Sequence, residues 1–539
     1  MRGGCALLAS AASRKALAIA RSLRTALKLR VVGVFHTRHP YLFSRYFDRR
    51  LLVKAPRPSE LWARAVLRAA EELSCSVAVP VDFADVMALA RLRGEFESRG
   101  VALAAPPYEA ALAASDKASL PELLGGVARV PKQVVVKRGG GLDFVADLEP
   151  PLVVKGLGDA SNPTYHLSRS SAAEEARRRG ECLVQEFVPG VARGYYAVAH
   201  EGVPLLEFTH ERLVERDPTG GASMAARGPV LDPLLYRVGR RIVEKLRWTG
   251  PLMVELKYDL ESGQYYVVEL NPKFWGSLDL PVSLGYHFPA VLVVAVTEGP
   301  EKARQLSQRL RAQRGSFAWV LDGFRYLAKV PSAWAELARF SFRGGSDVDP
   351  ADPGRVAAQL WVALSRLPAE KKRWRGYLEG ASRELGEWAR IFLDAASKNE
   401  RLLLLDLDGV IVDLRVNWAL VYRELRVRGL LREGEYFASA LARLWRSDRA
   451  RYAEASSLAA SHEVQALERS AYLLGREVLE ELSEHYEVYV VTKQAHSAAV
   501  EALRRLGVLG KVRGVVSRDS GYGPSKRSMV AAILSGRPG

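Results

Sequence analysis

Apolar and polar residues alternate most clearly at 250–280, GPLMVELKYDLESGQYYVVELNPKFWGSLDL. Two runs rich in β-formers flank Glu261-Ser262-Gly263, with glycine where a bulged hairpin turn needs a left-handed residue. Pairing Leu260 with Gln264 and counting outward sets Glu255 opposite Glu269 and Met253 opposite Asn271. Strand side chains alternate faces, so Glu255, Lys257, Glu269 and Asn271 share one face and Val254, Leu256, Val268 and Leu270 the other. Upstream, Pro151-Leu152-Val153-Val154-Lys155 predicts a short strand running into a loop that contains Gly156 and Gly158. A polar helix over 170–179 and a strand over 182–188, stopped by Pro189-Gly190, follow. The opening predicts a strand at 5–9, a helix at 13–27 and a strand at 30–35, an α/β start. Asp116, just before Lys117, is placed to cap a helix. Near the other end, 402–405 is a buried-strand run leading into Asp406 and Asp408, and a second strand ends at Thr492.

These positions carry chemistry. Like charges directly opposite on a sheet repel, so a cation between Glu255 and Glu269 is expected, and hard oxygen ligands suit magnesium carrying a nucleotide phosphate. The alternative is a solvated face on which Lys257 neutralises the acids. The loop after Lys155 offers N–H groups to phosphate, although most such loops are only turns. The chain has 18 lysines against 60 arginines, yet lysine stands at 117, 155, 257 and 273, where a compact ammonium fits a close phosphate contact. Asp406 and Asp408 lie at the carboxyl end of a strand, where open α/β sheets place their sites. There one acid can attack phosphorus while the other moves a proton.

The order of motifs DKASL (116–120), VVKGLGDAS (153–161), LVQEFVPG (183–190), FTHERLVERDPTGGAS (208–223) and MVELKYD…VVELNPKFWGSLDLPVSLGYHFP (253–289) resembles the ATP-grasp superfamily, in its carbamoyl-phosphate-synthase-like branch. The resemblance covers roughly the first three hundred residues. It implies that Lys117, Lys155, Gly156 and Gly158 bind nucleotide phosphates and that the backbone of Glu186, Phe187 and Val188 meets the adenine edge. It further implies that Glu255, Glu269 and Asn271 ligate magnesium and that Lys257 or Lys273 faces the transferred phosphate. Arg227 joins them as a catalytic candidate, with Arg193 and Arg212 as further carboxylate clamps; a surface ion-pair role is the alternative for each. Relatives end the last segment ENPR, whereas Lys273 here keeps the charge without the bidentate fork, and no ribose ligand is evident near 190–193. The C-terminal motifs look like those of haloacid-dehalogenase-like phosphohydrolases: Asp406 and Asp408 first, Thr492 second, Lys526 third. The fourth, whose acids complete a magnesium site in that family, is missing, so the module is read as incomplete or degenerate.

The expected fold is multidomain α/β: a Rossmann-like domain at 1–105, an ATP-grasp domain at 106–300, a helical appended region at 301–400 and a Rossmannoid phosphohydrolase-like domain at 401–539. Tryptophans of the linking region, Trp319, Trp334, Trp361, Trp374 and Trp388, are expected in cores or interfaces. Three scattered cysteines have no metal or disulfide spacing, which favours a reducing, cytoplasmic setting. No apolar stretch reaches the roughly 18 residues a spanning helix needs. The net charge of +17 raises the expectation of anionic ligands, but no nucleic-acid-binding signature accompanies it. The reading is an ATP- and magnesium-dependent ligase joining a small carboxylate to an amine or thiol through an acyl phosphate, fused to a phosphohydrolase-like module. Two alternatives are a phosphatase whose front half supplies specificity and a nucleotide-binding regulator without chemistry.

Overall fold

The computed structural model describes residues 4–138, 147–157, 163–166, 169–188, 190–217, 220–259, 262–323, 345–362, 364, 402–432 and 435–534. Two compact units emerge, Met1–Tyr258 with Tyr265–Trp374, and Asp259–Gln264 with Arg375–Gly539.

The first unit opens with five strands, β1 (Cys5–Ala9), β2 (Arg30–Phe35), β3 (Arg49–Leu52), β4 (Val77–Pro80) and β5 (Ala102–Leu103), in the order β3-β2-β1-β4-β5, all parallel. Alternation along β1 decides the two faces. Cys5, Leu7 and Ala9 pack with Trp62, Val66 and Phe96, while Ala6 and Leu8 pack with Ile19 and Leu23. That second core is continuous with Tyr196, Trp275, Phe288 and Val291 of the following chain. The helix Arg14–Ser22 is capped by Ser13, whose side chain accepts from Ala16 N.

Cys5 and Cys75 form a disulfide, with Cα atoms 4.3 Å apart, against the expectation of unpaired cysteines. The parallel pairing of β1 with β4 brings the two together across 70 residues, and Ser76 N donates to Cys5 O at 3.1 Å. Sequence spacing carries no trace of that proximity. Cys182 is free and buried.

A four-stranded antiparallel sheet follows, of β6 (Gln133–Val136), β7 (Leu152–Lys155), β8 (Thr164–His166) and β9 (Cys182–Glu186), in the order β6-β9-β7-β8. Its apolar face (Val136, Leu152, Val154, Cys182, Val184) packs on Ala172 and Ala176 of the helix Arg169–Arg179. The Arg178 and Arg179 side chains of that helix pair with Glu175. Asp116 does not cap a long helix. It accepts from Ala118 N at 2.9 Å, ahead of a single helical turn, Leu120–Leu123.

The largest sheet holds β10 (Val191–His200), β11 (Val203–Asp217), β12 (Gly220–Gly228), β13 (Gly250–Asp259), β14 (Gln264–Asn271), β15 (Gly315–Ala318) and β16 (Gly345–Ser346), in the order β14-β13-β10-β11-β12-β15-β16. β15 adds a strand to the region after 300 expected to be helical. Gly315-Ser316-Phe317-Ala318 completes the open edge of β12 and buries Phe317 and Ala318. Trp319 is fully buried as expected, Trp361 is 74% exposed, and Trp334, Trp374 and Trp388 lie outside the described residues.

In the second unit, β17 (Leu402–Leu405), β20 (Glu487–Val491) and β21 (Gly514–Val516) form a parallel sheet in the order β17-β20-β21. Between β18 (Val412–Asp413) and its antiparallel partner β19 (Ala471–Tyr472) three helices are inserted, Trp418–Val427, Phe437–Ser447 and Arg449–Ala466. Among the described residues no helix is long and apolar enough to cross a membrane.

Candidate functional site

The β13–β14 hairpin forms where alternation predicts it, and Gly263 takes a φ of 67° in its turn. On β13, Val254, Leu256 and Tyr258 are buried while Glu255, Lys257 and Asp259 are half-buried. On β14 the phase slips. Tyr265 and Val267 are buried, Val268 and Glu269 are not, and Leu270 and Asn271 are buried again. Val268 and Glu269 both line a cavity, which accounts for their exposure. Strict alternation placed Val268 beside Leu270 in the core; it is half-buried instead, and its carbonyl accepts from Lys155 Nζ at 3.4 Å.

Glu255, Lys257, Glu269, Asn271 and Lys273 line one cavity of about 480 Å³ with Lys117 and Lys155. Glu186, Phe187 and Val188 line it too, together with Tyr165, whose ring stands edge-on to Phe187 at 5.9 Å. Both acids already face protein cations: Glu255 Oε1 is 3.0 Å from Arg212 NH2, and Glu269 Oε1 is 3.5 Å from Lys117 Nζ. Burial pushes the Lys155 ammonium down to about 8, with Glu269 opposing the shift and Lys117 adding to it. Lys273 lies 5.7 Å over the Phe83 ring. Two carboxylates and an amide oxygen are the hard donors a magnesium ion takes when phosphates and water complete its octahedron, so this set fits that ion. Among the described residues, no group of three or more His, Cys, Asp or Glu stands close enough to hold a metal without such help.

In the segment expected at the adenine edge, the hinge between β9 and β10, Glu186 N donates to Lys132 O and Phe187 N to Pro151 O, both at 2.9 Å. Gly156 follows β7 directly, and Gly158 lies outside the described residues.

Of the three arginines, Arg212 is engaged by Glu255, and Arg193 is fixed to Asp232 at 2.7 Å and to the Tyr265 hydroxyl at 2.5 Å. Arg227 is not among the residues lining the cavity; its side chain is 60% exposed and pairs with Glu211. Arg14 and Lys15, which no sequence motif singles out, also line the cavity from the start of the first helix. Arg14 NH1 donates to Asp322 at 3.0 Å and to Ser223 O at 3.3 Å, and its guanidinium stacks 4.7 Å over Trp319. Gly276 faces the other edge: a Cβ there would sit 3.2 Å from Arg14 NH2. Behind the wall, buried His210 bonds Ser277 Oγ at 2.8 Å and the Tyr196 hydroxyl, and burial drives its imidazolium down to about 3, with Arg212 adding to the shift.

The second unit brings its motif residues together as well. Asp406 contacts Lys526 Nζ, and Asp408 accepts from Leu414 N at 2.9 Å and from Gln494 Nε2 at 3.3 Å. Thr492, fully buried, bonds the same Gln494. Burial raises the Asp408 carboxyl, with the charges of Asp406 and Asp413 contributing. Two carboxylates, one of them held by a lysine, leave magnesium short of ligands among the described residues.

No family model matches the chain. A D-aspartate ligase of Enterococcus faecium (strain Aus0004) is 27% identical over 103 residues, 18% of this chain and 24% of that protein. The chain therefore spans about a quarter of the length of the curated relative it matches. Among solved structures, the biotin carboxylase domain of Hydrogenobacter thermophilus 2-oxoglutarate carboxylase aligns over 56% of this chain and 70% of its own, at 13% identity and a TM-score of 0.45. Phosphoribosylglycinamide synthetase from Anaerococcus prevotii aligns over 58% and 79%, at 14% identity and a TM-score of 0.44.

Proposed function

We propose that the first unit is an ATP-grasp ligase that activates a small carboxylate with ATP and joins it to an amine or thiol through an acyl phosphate. One observation carries this reading: Lys117, Lys155, Lys257 and Lys273 converge with Glu255, Glu269 and Asn271 on a single cavity that Glu186, Phe187 and Val188 also line. Lys117 and Lys155 hold phosphate oxygens, and the Val188 N–H orients the base. Glu255, Glu269 and Asn271 hold magnesium, which when bound neutralises charge on the phosphates. Lys257 and Lys273 face the transferred group and offset the charge that develops there. Arg14 presents the free edge of a fixed guanidinium to the carboxylate. The stretch shared with a D-aspartate ligase favours an amine over a thiol as acceptor, and D-aspartate among the substrates.

The test is ADP release from Mg-ATP across a panel of carboxylic acids, D-aspartate included, each with a set of amines and thiols. One pair should stimulate release, and Glu269→Ala should abolish it. Tight ATP binding with no stimulation by any pair favours a regulator instead.

For the second unit we propose a phosphohydrolase-like fold, with Asp406 as nucleophile and Asp408 as proton carrier. The support is the convergence of Asp406, Asp408, Thr492 and Lys526 at the carboxyl ends of β17 and β20. With so few metal donors among the described residues, the expected hydrolysis of a generic phosphomonoester is weak or absent, and Asp406→Asn changes little. Robust hydrolysis lost in Asp406→Asn favours a two-enzyme protein.

A further inference from the structure

Two glutamines connect the two most buried lysines of the cavity. Gln133 on β6 and Gln185 on β9 are direct cross-strand partners. The same sheet face carries Val153, opposite Gln185, and Lys155 two residues further on. Lys155 Nζ donates to Gln185 Oε1 at 3.1 Å, Gln185 Nε2 to Gln133 Oε1 at 2.6 Å, and Gln133 Nε2 to the Lys117 carbonyl at 2.8 Å. An ammonium only donates and a carbonyl only accepts. Both amides therefore have one allowed orientation, and the relay runs in one direction from Lys155 to Lys117. Lys155, Gln185 and Lys117 are 6%, 3% and 4% exposed, so water cannot replace a missing link cheaply. Two ammonium groups facing one cavity also repel; the relay fixes the Lys155 ammonium and the Lys117 main chain, while Glu269 pairs with the Lys117 ammonium.

We propose that Gln185 and Gln133 are positioning residues that hold Lys155 and Lys117 as a matched pair, so that the cavity grips a nucleoside polyphosphate and selects nucleotides by their phosphate count. This rests on the nucleotide reading of the cavity. The hinge that follows Gln185 is fixed by main-chain bonds to Lys132 and Pro151, whereas the relay acts through side chains, so cutting the relay leaves the base's groups in place and the loss grows with the number of phosphates.

The test is calorimetric binding of ATP, ADP and AMP, with magnesium, to the full chain and its variants, alongside thermal melting. Gln133→Leu and Gln185→Leu should each weaken ATP and ADP by roughly tenfold, with AMP unchanged. The double variant should lose no more than either single one, because both cut the same relay. Gln133→Glu still accepts from Gln185 but cannot donate to the Lys117 carbonyl, and should behave like Gln133→Leu. Gln133→Asn, which keeps the amide on a shorter arm, gives the same phosphate-dependent loss if the leucine variants do not fold. Equal losses for all three nucleotides, additive losses, or no loss would overturn the relay while leaving the nucleotide site standing. A wild-type chain that binds none of the three would overturn the nucleotide reading itself.

Discussion

Arg212 NH2 stands 3.0 Å from Glu255 Oε1, so one of the two acids that alternation turns towards the cavity already holds a cation supplied by β11. Repulsion between Glu255 and Glu269 is therefore not left for a metal alone to relieve.

Glu255→Ala and Glu269→Ala should each abolish magnesium-dependent ATP turnover. Repulsion considered alone makes removal of either acid stabilising in the metal-free protein; pairing reverses that sign. Glu255→Ala deprives Arg212 of a half-buried partner, and the apo melting temperature should stay level or fall by a few degrees. Undiminished turnover in both variants would remove the metal site.

Lys155→Ala should weaken Mg-ATP binding by about 10- to 150-fold, the equivalent of one charge-assisted hydrogen bond of roughly 1.5–3 kcal/mol. Lys302→Ala is the control, because that lysine is 64% exposed on a surface helix. Equal affinities in the two variants would show that the β7 lysine does not touch phosphate.

Gly276→Ala places a methyl group 3.2 Å from Arg14 NH2, inside normal contact distance. The guanidinium is anchored on its other side by Asp322 and Trp319 and cannot retreat freely. The Michaelis constant for the acid should rise several-fold while that for ATP holds. A change in the ATP constant alone would move Arg14 out of the acid's site.

His210 makes the first unit acid-sensitive. Its folded-state pKa is pushed down to about 3 by burial, with Arg212 adding to the shift, whereas an unfolded histidine titrates near 6.5. Its contribution is thus complete above pH 6.5 and is lost as pH falls towards 3, because only the unfolded chain takes up the proton. By pH 5 the loss is about 2 kcal/mol. Melting curves from pH 7.5 to 5 should fall more steeply for wild type than for His210→Gln. Parallel curves would mean that the ring is protonated in place.

The hairpin was legible because period-two alternation and a single turn glycine are local signals, and Gly263 takes the left-handed conformation that the turn needs. The exposure of Val268 was not, since alternation does not record which residues a cavity will reach. Gln185 sits in an apolar strand where one polar residue looks incidental; its meaning comes from Gln133 across the ladder, 52 residues earlier. Arg14 follows a good N-cap and so resembles any solvated helix arginine. Only folding shows that Trp319, Asp322 and Gly276, all from beyond residue 270, surround it. The hinge carbonyls and N–H groups were counted as available because no sequence records that Lys132 and Pro151 already occupy two of them.

The strand order β12-β15-β16 also sets a timetable for synthesis. A ribosome that has released residue 300 has already delivered every lysine and acid of the cavity, but β12 still has a bare edge and Arg14 still lacks Asp322. The sheet gains its last strand only once 345–346 has left the exit tunnel. Nascent chains stalled before that point should be held by chaperones that shield exposed strand edges, and those stalled well after it should not.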